Sequence, residues 1–230
     1  MPKDFSAFER AINISFNEAE LLCQAFTHRS YLNEHRGEVQ GHNERLEFLG
    51  DAVLELVITH FLYKQFPEKP EGELTAYRAA LVNATTCAEV ANDIGMNEYL
   101  LLSRGEAKDT GRARGVLLAN ALEALVGAIY IDQGYEAAER FIKERLAPKL
   151  DDILKQRLWQ DPKSALQEKA QEEEGVTPSY AVLKEEGPDH DKQFTVGVYL
   201  REELLAEGIG RSKQEAEAAA AKAALGARGW

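Results

Sequence analysis

The sequence predicts an all-α domain over residues 1–150 and a small α+β domain of order α-β-β-β-α over 161–230, joined by 151–160. Three observations predict this. Apolar residues recur at helical spacing almost without a break up to about residue 150. After Asp161–Pro162 the pattern changes to short alternating runs bounded by glycine. A chain of 230 residues is also long enough for two separate cores.

Taken in order, helices are predicted for FNEAELLCQAF (16–26), LEFLGDAVLELVITHFLYKQF (46–66) and ELTAYRAALVNATTCAEVANDIG (73–95), then VLLANALEALVGAIYIDQG (116–134) and YEAAERFIKERLAPKL (135–150). Stop signals separate them: Pro67 and Pro70, Gly95, the segment holding Gly105, Gly111 and Gly115, and Gly134. DDILKQRLWQ weakens into a connection. A helix at KSALQEKAQEEEG (163–175) precedes strands at PSYAVLKEEG (178–187), FTVGVYL (194–200) and ELLAEGIG (203–210). The alanine-rich SKQEAEAAAAKAAL (212–225) is the last helix.

Composition narrows the function. Hydrophobic content of 44% and charged content of 29% are those of a folded globular chain. No stretch is expected to be long and apolar enough to cross a bilayer, and MPKDFSAFERAIN lacks the apolar run of a secretory signal. Cys23 and Cys87 lie in helical patterns without CxxC spacing, so buried free thiols in a reducing cytoplasm are expected. The net charge of −12 works against a polyanionic partner unless basic groups are placed locally.

NERLEFLGDAVLELV (43–57) poses the chemical question. Glu44, Glu47, Asp51 and Glu55 follow one another at spacings of three, four and four, so they form one stripe on an otherwise apolar helix. Most helix charges are simply solvated, but this stripe has no lysine at the compensating positions. Glu123 lies in a second strongly apolar helix, three residues after Asn120. Buried acids cost several kcal/mol unless paired or bound to metal, and hard oxygen donors from two helices suit magnesium. A di-iron bundle would need Glu-x-x-His pairs, which the chain lacks. No Ser-His-Asp or Cys-His arrangement competes, and His28 reads as a structural hydrogen-bonding group near the site.

NERLEFLGDAVL resembles the signature of ribonuclease III, the endonuclease that cleaves double-stranded RNA. The likeness continues through FTHRSYLNE (26–34), EGELTAYRAALVN (71–83) and LANALEALVGAIYID (118–132). LQEKAQ, EEGPDHDKQFTVGV and GRSKQEAEAAAAKAAL resemble the three signature regions of a double-stranded RNA-binding domain. The resemblance implies an all-α endonuclease domain followed by that RNA-binding domain. It also implies a cytoplasmic, magnesium-dependent hydrolase, with manganese as a substitute, that leaves 5′-phosphate and 3′-hydroxyl ends. Structured messenger RNA and ribosomal RNA precursors are the implied substrates, in RNA processing and turnover, and a homodimer the implied assembly, with no membrane.

By position, the resemblance carries a metal-binding and catalytic role onto Glu47, Asp51 and Glu123, and a catalytic one onto Glu44. Asn120 stands where the family usually has aspartate, by natural variation or by an Asp→Asn change. It can ligate through its carbonyl oxygen but removes one negative charge. A cleavage-impaired RNA-binding protein is the alternative reading. Glu55 matches no functional position and reads as a solvated or capping acid. Phe48 and Glu71 match dimer-interface positions, against core packing and ordinary exposure as the simpler readings. Gln167 and Glu168 match the first minor-groove contact, and Pro188 and His190 the loop entering the second. Arg211, Ser212 and Lys213 open the last helix, whose N-terminus favours phosphate. Gln214 stands where a second lysine is common. Residues 161–230 hold nine Lys/Arg against fourteen Asp/Glu, so RNA binding is expected to be salt-sensitive.

Overall fold

Two long helices that cross backbone to backbone organise the first part of the chain. The structure, a computed structural model, describes residues 3–35, 37–108, 110–188 and 192–230. The chain divides into two compact units, Met1–Trp159 and Gln160–Trp230.

In the first unit α1 (Ser6–Ile12), α2 (Ala19–Ala25) and α3 (Arg29–Glu34) lead to the 22-residue α4 (Glu44–Gln65). Then come α5 (Glu71–Val82), α6 (Ala84–Asp93), α7 (Arg112–Gln133), α8 (Tyr135–Leu146) and α9 (Lys149–Lys155). Short 3-10 turns fall at Met96–Glu98 and Glu106–Lys108. The run at 73–95, expected as one helix, is two. Asn83 breaks it with an extended ψ of 160°, and its Oδ1 accepts the Thr86 N–H at 2.9 Å to cap α6. Its Nδ2 donates to the Ala80 carbonyl at 2.9 Å, so one side chain serves both helix ends.

Helix α7 is apolar nearly all round, and Leu118, Ala121, Leu122, Leu125, Val126 and Ile129 are buried. Its stretch 113–133, with mean hydropathy 1.5, does reach the length and composition of a membrane span, contrary to the sequence expectation. In the fold it is the central core helix, packed on α2, α4, α6 and α8. Both cysteines are buried free thiols, as expected.

The expected connection at 151–160 is helical in its first half. Helix α9 runs into it as far as Lys155 with Leu150 and Ile153 buried, and Lys149 bridges to Asp93 at 3.0 Å. The Trp159 ring then meets Tyr77 edge-on at 4.9 Å.

In the second unit α10 (Pro162–Glu174) precedes an antiparallel sheet of order β1-β2-β3 (Ser179–Glu186, Gln193–Leu200, Glu203–Gly210), closed by α11 (Lys213–Arg228). Val196, Val198 and Leu200 alternate inward on β2. The alanine tract has a packing reason. A Cβ at Gly208 would lie 2.1 Å from Ala220 N, so strand and helix backbones touch and only small residues fit between them.

Candidate active site

The acidic stripe is positioned by a glycine contact that sequence periodicity did not single out. A Cβ at Gly50 would lie 1.8 Å from the Glu123 carbonyl oxygen, and one at Gly127 would lie 2.2 Å from that of Leu46. Two glycines thus let α4 and α7 approach at backbone distance. Glu47 and Asp51, on either side of Gly50 in sequence, are brought against Asn120 and Glu123. A glycine inside each helical pattern was the available signal.

The electrostatics record the convergence. Burial, followed by the charges of Asp51 and Glu47, pushes the Glu123 carboxyl up to about 7. Glu47 is raised by burial, then by Glu44 and Asp51, and a hydrogen bond from the Asn120 side chain offsets part of this. Cys87 of α6 lies behind the acids. Burial, with Glu123 and Asp51 adding to it, pushes its thiol up to about 12, so it stays protonated and inert.

Among the described residues, no three His, Cys, Asp or Glu side chains already lie at ligand distance around one point. Burial, and after it the mutual repulsion of the acids, disfavours the charged forms of Glu47 and Glu123. A hard divalent cation offsets both, and four oxygen donors from two helices are the donor set it prefers. The residues therefore fit such an ion.

The other acids separate from this group by degree. Glu44 is exposed, acts on Glu47 and pairs with Arg29 at 3.6 Å. Glu55, read as a solvated or capping acid, is instead ion-paired with Arg78 Nε of α5 at 2.9 Å. Glu71 opens α5, exposed, where it accepts a hydrogen bond from Thr75 Oγ1 at 3.0 Å. It is not among the charges acting on Glu47 or Glu123. Phe48 takes no part in its own chain's core: it is 82% exposed, beside a groove lined by Leu21, Leu46, Leu49 and Ile131.

Several positioning groups went unnoticed in the sequence. Asn43, buried at the start of α4, donates its backbone N–H to the Thr27 carbonyl at 2.9 Å and its amide to the Ala25 carbonyl at 3.4 Å. The Ser30 hydroxyl joins His28 Nδ1 at 2.8 Å and accepts the Ser103 N–H at 3.1 Å. His28 caps α3 and is lowered by burial, the structural role expected for it.

In the second unit Gln167 and Glu168 are exposed on α10, and Pro188 is exposed after β1. His190 lies outside the described residues. Arg211 and Lys213 are exposed, and Ser212 caps α11 by accepting the Glu215 N–H at 3.1 Å. Glu215 in turn accepts the Arg211 N–H at 3.0 Å. The chain's own groups thus engage part of the helix end expected to meet phosphate. Lys213 also pairs with Glu185 at 3.3 Å.

A family model described as Ribonuclease-III-like matches residues 18–150, and one described as Double-stranded RNA binding motif matches 162–226. The chain is 47% identical to the protein named Ribonuclease 3 of Magnetococcus marinus, over 97% of this chain and 93% of that one. With Ribonuclease 3 of Geobacillus kaustophilus the identity is 46%, over 96% and 89%. Among solved structures, the nuclease domain of ribonuclease III from Campylobacter jejuni, in a study of a region involved in dimer formation, matches with a TM-score of 0.56. Its identity is 36%, covering 63% of this chain and 99% of that one.

Proposed function

Because this chain belongs to the ribonuclease III family, we propose that Glu47, Asp51, Asn120 and Glu123 hold the magnesium ion with which it hydrolyses duplex RNA. It is an endoribonuclease acting on double-stranded RNA, in a metal-dependent family. The observation carrying the assignment of the ion site is that Glu123 is half-buried on α7 with Asp51 and Glu47 of α4 beside it, and burial and these charges together push its carboxyl up to about 7.

Hydrolysis adds water to phosphorus and breaks the P–O3′ bond, leaving a 5′-phosphate and a 3′-hydroxyl. A bound divalent ion lowers the pKa of water and neutralises charge on the phosphoryl oxygens. Glu47, Asp51 and Glu123 supply the negative charge that holds such an ion, and the α4–α7 contact holds them in place. Asn120 contributes a neutral oxygen and restrains Glu47. Glu44 stands at the rim of the group. Through the second unit, Gln167, Glu168, Pro188, His190, Arg211, Ser212 and Lys213 grip the duplex. The substrates proposed are ribosomal RNA precursors and structured messenger RNA, in the cytoplasm. The alternative, a chain that binds without cutting, has only Asn120 behind it.

Position 120 tests the site. Restoring a carboxylate adds one charge close to the ion, worth about 4 kcal/mol at roughly 4 Å and an effective dielectric near 20, before desolvation offsets most of it. A surviving remainder of about 1.4 kcal/mol is tenfold in affinity. Asn120→Asp is therefore expected to lower the magnesium concentration for half-maximal duplex cleavage about tenfold. Superimposable magnesium titrations of the two proteins would remove residue 120 from the ion's shell.

The proposed assembly is a homodimer through the first unit, with Phe48 seated on the partner and Glu71 reaching toward the partner's acids. An apolar ring 82% exposed beside an apolar groove supports this. Phe48→Glu is expected to shift the sedimenting species from dimer towards monomer. A variant that stays dimeric down to the concentrations where the parent dissociates rules out this seat.

A further inference from the structure

An open cleft lies beside the acids, lined by His28, Arg29, Ser30, Asn33, Glu106 and Leu117. Leu117 precedes Asn120 by three residues on α7, so the cleft continues the same helix face by about one turn. Arg29, its side chain 72% exposed, is 3.6 Å from Glu44, which places cleft and acids on a common wall.

The chemistry of this cleft is specific. Ser30 Oγ lies 2.8 Å from His28 Nδ1 and, where Nδ1 is an acceptor, donates its hydrogen to it while accepting the Ser103 N–H. The Ser30 N–H also points to Nδ1, at 3.3 Å. With Nδ1 an acceptor twice over, the neutral ring carries its proton on Nε2. The cleft thus combines a guanidinium, a fixed N–H donor, an amide and a carboxylate. In a chain of net charge −12, a cation beside the acid group is where a polyanion can be held. A ribose-phosphate unit has matching parts: an anion for Arg29 and a 2′-hydroxyl that can donate to Glu106.

Resting on the reading of the chain as a duplex RNA endonuclease, we propose that this cleft binds one ribose-phosphate unit of the RNA strand beside the cleaved bond. Arg29 holds the phosphate, with the His28 Nε2–H and the Asn33 amide as further donors, and Glu106 accepts from the 2′-hydroxyl. Acting on substrate directly, these groups affect its capture rather than metal loading.

Steady-state cleavage of a defined duplex by the full chain tests this, together with duplex affinity measured in chelator across a range of salt. Arg29→Gln is expected to raise KM about tenfold, the loss appearing in KM and not in the magnesium titration. It should also reduce the slope of log affinity against log salt by about one, and Arg29→Lys should restore that slope. Duplexes carrying single 2′-deoxy substitutions around the cut should reveal one sensitive position in the parent, and Glu106→Ala should lose that sensitivity. An unchanged salt slope in Arg29→Gln, or deoxy sensitivity surviving in Glu106→Ala, overturns the proposal. A shifted magnesium midpoint with unchanged KM also overturns it, assigning Arg29 to Glu44 alone. Failure of the parent chain to cut any duplex is a different result, which overturns the endonuclease reading and leaves the chelator binding data to judge the cleft.

Discussion

Glu123→Gln is expected to abolish cleavage of duplex RNA while leaving duplex affinity nearly unchanged. The substitution keeps the shape of the side chain and removes the charge of the acid that burial and two neighbouring carboxylates affect most. Most of the RNA-binding surface lies in the second unit, so affinity measured in chelator should survive. Cutting by the variant at saturating magnesium takes Glu123 out of the mechanism. The same crowding sets a pH dependence. Glu123 ionises near 7 in the folded chain against an ordinary value of 4.5, so between those values the folded state binds the extra proton. Stability of the metal-free protein should therefore fall as pH rises through that window, and Glu123→Gln should remove part of the fall. Melting in chelator at pH 5 and pH 8 measures both. Bound magnesium competes with the proton, so less magnesium should suffice as pH rises past about 7.

Gly50→Ala is expected to be the most damaging single methyl group in the first unit. The added carbon would sit 1.8 Å from the Glu123 carbonyl oxygen, a backbone atom that cannot rotate away. Helix propensity favours alanine by about 1 kcal/mol, but overpacking a filled contact costs about 1–3 kcal/mol even where side chains can yield. Here backbone meets backbone, so the clash wins and α4 must move off α7. The movement separates Glu47 and Asp51 from Glu123, and cleavage should fall with stability. Gly72→Ala is the control: its Cβ would meet nothing within 4 Å on α5. Propensity alone then acts, and a small rise in melting temperature is expected. If Gly50→Ala melts with the parent, the close crossing is not what holds the acids together.

Much of the fold was legible because its elements are strongly periodic. The five helical runs and three strands read from apolar spacing reappear with shifted ends, apart from the run at 73–95. That run hid a break because Asn83 looks like any polar helix residue until its two hydrogen-bonded neighbours are placed. The segment 151–160 looked like a connection although Leu150, Ile153 and Leu154 keep helical spacing, because the apolar run is short and polar residues surround it. Helix α9 packs on α5, distant in sequence, and on α8, and Trp159 meets Tyr77 of α5. For the acids, local spacing identified the stripe but treated its members alike. The resemblance had set Glu55 apart, and the structure supplies the physical difference: Glu55 is ion-paired with Arg78, whereas Glu47 faces Asn120.

By itself the sequence determined which residue types this protein has for its chemistry: acids on two apolar helices, a neutral amide at position 120, and an RNA-binding unit that is acidic overall. It determined these because helical and strand periodicities are local, set by the backbone within a few residues. The tertiary structure alone decided which acids meet, which thiol lies behind them, and that Phe48 stays outside the core. Those facts depend on where one helix touches another. That contact is set at Gly50 and Gly127, 77 residues apart in the chain, where the absence of a side chain lets two backbones close together.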